Sequence, residues 1–121
     1  MSLLNNKFVI TRGTNNEFVF RIKKEGSTEL INITSGDTFT SYLVKLSDET
    51  KVTSGVTTTK TLGAGGKISI TINSDTAASL EKYRGSVEDR YYLLPTYKLV
   101  IEANTVDNGY FIAKVDEVYV D

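Results

Sequence analysis

Neither cysteine nor histidine occurs among the 121 residues of this chain, tryptophan is missing, and proline appears once. Without cysteine there is no disulfide and no thiolate metal site, a composition that fits a reducing cytosol. Without histidine the chain lacks the commonest general base, the commonest metal ligand and the usual pH switch. Ser-His-Asp and Cys-His catalysis are therefore excluded within it. Charge of one sign is lacking too: 14 basic and 15 acidic residues leave a formal charge of −1. They are spread along the sequence, with no basic stripe for a phosphate backbone and no like-charge tail. No apolar run approaches membrane-spanning length. Met1–Lys7 lacks the basic start and apolar core of a signal peptide, so export by that route is not expected. The length suits one domain over residues 1–121, large enough to be stable without covalent staples.

What is present is alternation. Tyr97 to Val120 reads as one long β-hairpin: Tyr97, Leu99, Ile101 and Ala103 share one face of the first strand. Phe111, Ala113, Val115, Glu117 and Tyr119 share one face of the second, and Asn108-Gly109 makes the corner as a type I′ turn. A hairpin of that length needs a second layer over its apolar face. Upstream, Lys7–Thr11 is a short apolar segment followed by a turn cluster. Glu17–Lys23 is a strand with Phe18, Phe20 and Ile22 on one face. Leu30–Ile33 follows, then Thr38–Leu46 with Tyr42, Val44 and Leu46 expected inward. The threonine-rich Thr50–Leu62 suits one exposed strand or a loose edge hairpin. Lys67–Ile72 places Ile68, Ile70 and Ile72 inside. A short helix runs from Ser74 or Asp75, either of which could cap it, to about Tyr83, with Gly85 able to end it. Leu80 is expected to pack on the sheets. Gly85–Arg90 reads as a polar loop, and Pro95 marks an edge, a bulge or a break. Seven or eight short strands predict an all-β fold: an antiparallel β-sandwich with one short helix before the C-terminal hairpin. A small closed barrel is the alternative.

Three groups of residues invite a chemical reading. Gly63–Lys67 looks like a phosphate loop, but such a loop should enter a helix with a hydroxyl residue after its lysine. Here Ile68 and a strand follow, so a flexible hairpin loop is the simpler reading. Glu88, Asp89, Asp116, Glu117 and Asp121 are the carboxylate clusters. Neighbours on a strand point to opposite faces, so Asp116 and Glu117 cannot serve one site, and Glu88 and Asp89 suit a solvated loop. No catalytic residue, no metal ligand set and no cofactor site is expected. Tyr83, Tyr91, Tyr92, Tyr97, Tyr110 and Tyr119 enrich the second half in aromatics, and most are expected half-buried on sheet faces. Lys82, Arg84, Arg90 and Lys98 are too few to make a basic groove beside them, so no nucleic acid is expected and a protein partner is favoured.

The order of these pieces carries a resemblance. A first strand precedes Arg12-Gly13-Thr14, Phe18 and Phe20, followed by Ile31-Asn32-Ile33-Thr34 and Asp37-Thr38-Phe39. Gly66-Lys67-Ile68-Ser69-Ile70 comes before the Ala77–Leu80 helix, with Tyr97–Glu102, Gly109 and a closing Val115/Val118/Val120 strand. The arrangement resembles the small immunoglobulin-like β-sandwich proteins of tailed bacteriophage particles, including the N-terminal domain of baseplate upper proteins. The Ser86–Tyr92 loop is longer than that pattern, and the threonine-rich segment has no clear counterpart in it. The resemblance implies a non-enzymatic virion component, made in the host cytoplasm, that packs against copies of itself or other virion proteins in the tail, baseplate, neck or capsid. Three contact regions are expected. They are an N-terminal arm over residues 1–6 carrying Leu3 and Leu4, the Thr50–Gly66 segment with Val56, and the Ser86–Tyr92 loop with Val87, Tyr91 and Tyr92. A carbohydrate-binding sandwich module is the rival function.

Overall fold

The computed structural model describes residues 8–87 and 90–121, with residues 83–87 and 90–93 described by backbone alone. It is an all-β sandwich. In chain order the elements are β1 (Phe8–Ile10), β2 (Asn16–Arg21), β3 (Thr38–Lys45), β4 (Lys51–Val52), β5 (Val56–Lys60), β6 (Lys67–Ile72), α1 (Ser74–Ser79), β7 (Tyr83–Val87), β8 (Arg90–Thr105) and β9 (Gly109–Val120). One sheet has the order β1-β9-β8-β3-β4, with β7 paired to the outer part of β8. The other is β2-β6-β5. All pairings are antiparallel except β1 with β9, which is parallel.

The core lies between the sheets. Period-two alternation puts Ile68, Ile70 and Ile72 of β6 and Leu99 and Ile101 of β8 out of contact with water. Phe18 and Phe20 of β2 lean on the same cluster. Phe8 of β1 closes one side, its ring 4.0 Å from that of Phe18 and 5.3 Å from that of Phe20. On the opposite side the threonine-rich segment is divided between the sheets. β4 edges the large one, and after a turn at Gly55 β5 edges the small one. Burying these isoleucines, leucines and phenylalanines contributes roughly 1.5–3 kcal/mol per side chain.

Several expectations need correction. In β3 the phase is opposite to that expected: Ser41 and Leu43 are buried inward, Phe39 leans on the core, and Leu46 is exposed. Tyr42 and Val44 lie on the outer face, because both faces of β3 carry apolar groups and the pattern alone does not fix the phase. Leu30–Ile33 forms only isolated bridges, Lys23 to Leu30 and Ile33 to Gly63, although Ile31 and Ile33 are buried. The helix is shorter than expected. Asn73 caps it, its side-chain oxygen accepting from the Thr76 amide at 2.8 Å, and Leu80 already has extended backbone. Leu80 is buried as expected. Tyr83 and Gly85 then belong to β7, so most of the segment read as a loop is a hairpin of β7 with β8, Gly85 pairing Tyr92. Pro95 sits at a register shift, the bulge its missing N–H favours.

The β8–β9 corner is also wider than a two-residue type I′ turn. Thr105 pairs with Gly109, and of the corner residues only Gly109 has positive φ, +67°. The Thr105 hydroxyl holds the corner, accepting from the Asn108 amide at 3.0 Å and donating to the Gly109 carbonyl at 3.1 Å. A second register shift falls between Ile101 and Glu102. It inserts one extra residue into β9, so that Phe111 faces the core near the corner and Val118 and Val120 face it farther on.

Candidate docking face on the large sheet

That extra residue creates a distinctive surface among the described residues. Cross-strand partners project to the same side of a sheet. The pairs on the outer side of β3, β8 and β9 therefore form rows: Val44, Lys98 and Glu117; Tyr42, Val100 and Val115; Thr40, Glu102 and Ile112; Thr38, Asn104 and Tyr110. Tyr110, Ile112 and Val115 are 59 %, 46 % and 53 % exposed and lie along β9. Val44 and Val100, in the same rows, are buried. Lys51 of β4 places its ammonium 4.6 Å from the centre of the Tyr42 ring. The result is an apolar strip with both signs of charge beside it, unlike the isolated exposed hydrophobic groups common on soluble proteins.

Glu102 is the electrostatic centre of this face. The Tyr42 hydroxyl donates to its carboxylate at 2.9 Å. Burial, then hydrogen bonding to Glu102 and its charge, raises the Tyr42 phenol above the usual tyrosine range. The Tyr110 phenol is raised from the same causes in the same order. Both phenols are therefore neutral donors at physiological pH. Beside them is a shallow hollow of about 200 Å³, lined by Thr38, Thr40, Glu102, Asn104 and Tyr110. It offers one carboxylate, hydroxyls and an aromatic wall, which suits a cationic or polyhydroxyl group.

Of the partner-contact residues singled out from the sequence, only Val56 has a described side chain. Val56 is half-buried against the core on β5. Leu3 and Leu4 lie outside the described residues, and so do the side chains of Val87, Tyr91 and Tyr92. Glu88 and Asp89, expected in a solvated loop, lie outside them as well. Asp116 pairs with Lys114 at 3.3 Å, and Glu117 is exposed on the outer face. Among the described residues no group of acidic side chains converges as a metal site would require. The glycine loop joins β5 to β6, two strands, and Gly65 and Gly66 accept hydrogen bonds from Arg21 and Ile22. Of the tyrosines whose side chains are described, Tyr97 is buried and receives the Glu81 amide at 3.1 Å, Tyr42 and Tyr119 are half-buried, and Tyr110 is exposed.

This apolar face is not legible in the sequence because strict alternation puts Val115 on the same side as Phe111. Only the inserted residue separates them. No family model matches the chain, and no curated protein is significantly similar to it.

Proposed function

We propose that this chain is a non-enzymatic structural component of a tailed-phage particle, acting by protein–protein docking in a symmetric assembly. One observation carries the docking part: Tyr110, Ile112 and Val115 stand exposed in a strip on one sheet face, beside Lys98, Glu102 and Glu117. Apolar and aromatic groups with a polar surround are the composition of a protein interface. The phage assignment rests on the resemblance of the strand and glycine order to virion β-sandwiches. Many weak contacts repeated by symmetry hold a subunit whose single contact is weak. Particles from the phage carrying this gene, purified on a density gradient and analysed by mass spectrometry, should contain the polypeptide in a fixed ratio to the other structural proteins. Its absence from intact particles overturns the assignment.

The rival reading is a carbohydrate-binding module, favoured by the hollow in which Glu102, Asn104 and the Tyr110 ring come together. Sugar binding there would change tyrosine fluorescence on titration with host polysaccharide, and Tyr110→Ala would abolish the change. No change, with no hit on a glycan array, removes this reading.

A further inference from the structure

The outer face of the large sheet carries its own complement. Lys98 and Glu102 are four residues apart on β8, pointing the same way, with Val100 between them and Val115 paired to Val100. A two-fold axis lying in the contact plane, across the strands and through the Val100–Val115 row, reverses strand direction. It therefore superposes the Lys98 row of one copy on the Glu102 row of the other. Val115 then meets Val115, and each Lys98 ammonium reaches the hollow beside the other copy's Glu102. Lys51, near the same end, adds a second positive charge. Lys98 is half-buried and Glu102 is half-buried, so neither charge lies far out in solvent where screening would erase the pairing.

We propose that this face binds a second copy of the same chain, sheet on sheet, with Lys98 and Glu102 as reciprocal partners across the two-fold. The inference rests on the docking reading above and names its surface and its occupant. The strip from Lys98 to Asn104 is roughly 20 Å long at the strand rise and roughly 15 Å wide across three strands, about 300 Å² in plan. That is well below the ~800 Å² per partner of a stable complex, so the isolated pair is weak. Repetition in an assembly then supplies the rest.

The test is sedimentation equilibrium of the full chain from about 10 µM to about 1 mM at low and high salt. Wild type should pass from monomer to dimer, more weakly at high salt. Lys98→Glu or Glu102→Lys alone should weaken association roughly tenfold, because each sets like charges opposite one another. The double reversal K98E/E102K should recover it to within about threefold. Val115→Asp should abolish it. Because Glu102→Lys also removes the acceptor of Tyr42, Lys98→Glu and V115D, which leave both partners of that hydrogen bond in place, provide the same readout with thermal melting to confirm folding. A monomer throughout the range, or a double reversal no better than either single one, overturns the proposal. Either result leaves the particle assignment to the mass spectrometry of purified virions.

Discussion

Asp37 joins two loops that are 69 residues apart in sequence: its carboxylate accepts from the Val106 amide at 2.9 Å. The other carboxylate oxygen accepts from Thr34 at 2.9 Å, closing the turn before β3. Asp37 is only 3 % exposed. Burial alone would raise its carboxyl, but the Thr34 and Val106 amides and the nearby Lys60 ammonium outweigh it and hold it below the usual aspartate range. The corner of the long hairpin, where the docking strip begins at Tyr110, is therefore tied to the rest of the sandwich by a charged group.

The first prediction concerns acid. Because the folded carboxyl is depressed, the stability it contributes is present above the unfolded value of about 3.9 and lost as pH falls through the folded one. Wild type should lose stability as pH drops below about 4, and Asp37→Asn should show a flatter profile there. At neutral pH the variant should be roughly 1–3 kcal/mol less stable in urea denaturation, since one amide then faces a donor.

Lys60 makes a second prediction. Its ammonium donates to the carbonyls of Thr34, Ser35 and Asp37 at 3.2, 2.9 and 2.5 Å, fastening the free edge of β5 to the loop before β3. Lys60→Met should cost about 1–2 kcal/mol by removing a charged donor from three carbonyls, of which that of Asp37 is partly buried. Lys60→Arg should not restore it, because a planar guanidinium cannot direct donors at three carbonyls converging on one point. Thermal melts of the three proteins decide this.

Gly66 is needed for its backbone. Its φ is +59°, and a Cβ there would lie 2.6 Å from the Ile22 carbonyl oxygen. Its own carbonyl meanwhile accepts from the Ile22 amide at 2.7 Å. Gly66→Ala combines left-handed strain with a clash against backbone, and should destabilise by more than about 1 kcal/mol in chemical denaturation.

At α1 the capping residue sets the cost. Asn73→Ala removes the acceptor of the Thr76 amide and should lower stability by about 1 kcal/mol. Ser74→Ala should change it little, since Ser74 is not the cap. Comparing the two variants by thermal denaturation checks the placement of the helix start.

These residues also mark what the sequence made legible. Strands with apolar groups on one face only, such as β6 with Ile68, Ile70 and Ile72, were readable in phase and position. β3 was readable in position alone, since Tyr42 and Val44 on its outer face compete with Phe39 and Leu43 on its inner one. Asn73 does not stand out in the sequence because Ser74 and Asp75 are equally good caps by composition, and only the backbone shows which residue is extended. The docking strip was hidden by a bulge that no turn residue announces. Ile112 and Ala113 read as ordinary members of a strand, yet the extra residue moves Val115 from the core side to the solvent side.

The most direct test of the central claim is an amide NMR spectrum of the 15N-labelled chain recorded from dilute to concentrated solution. If the outer sheet face is where this molecule meets its neighbours, concentration-dependent shifts should gather on Val100, Glu102, Ile112 and Val115 and spare the β2-β6-β5 sheet. Shifts centred on the small sheet, or none at any concentration, would contradict it.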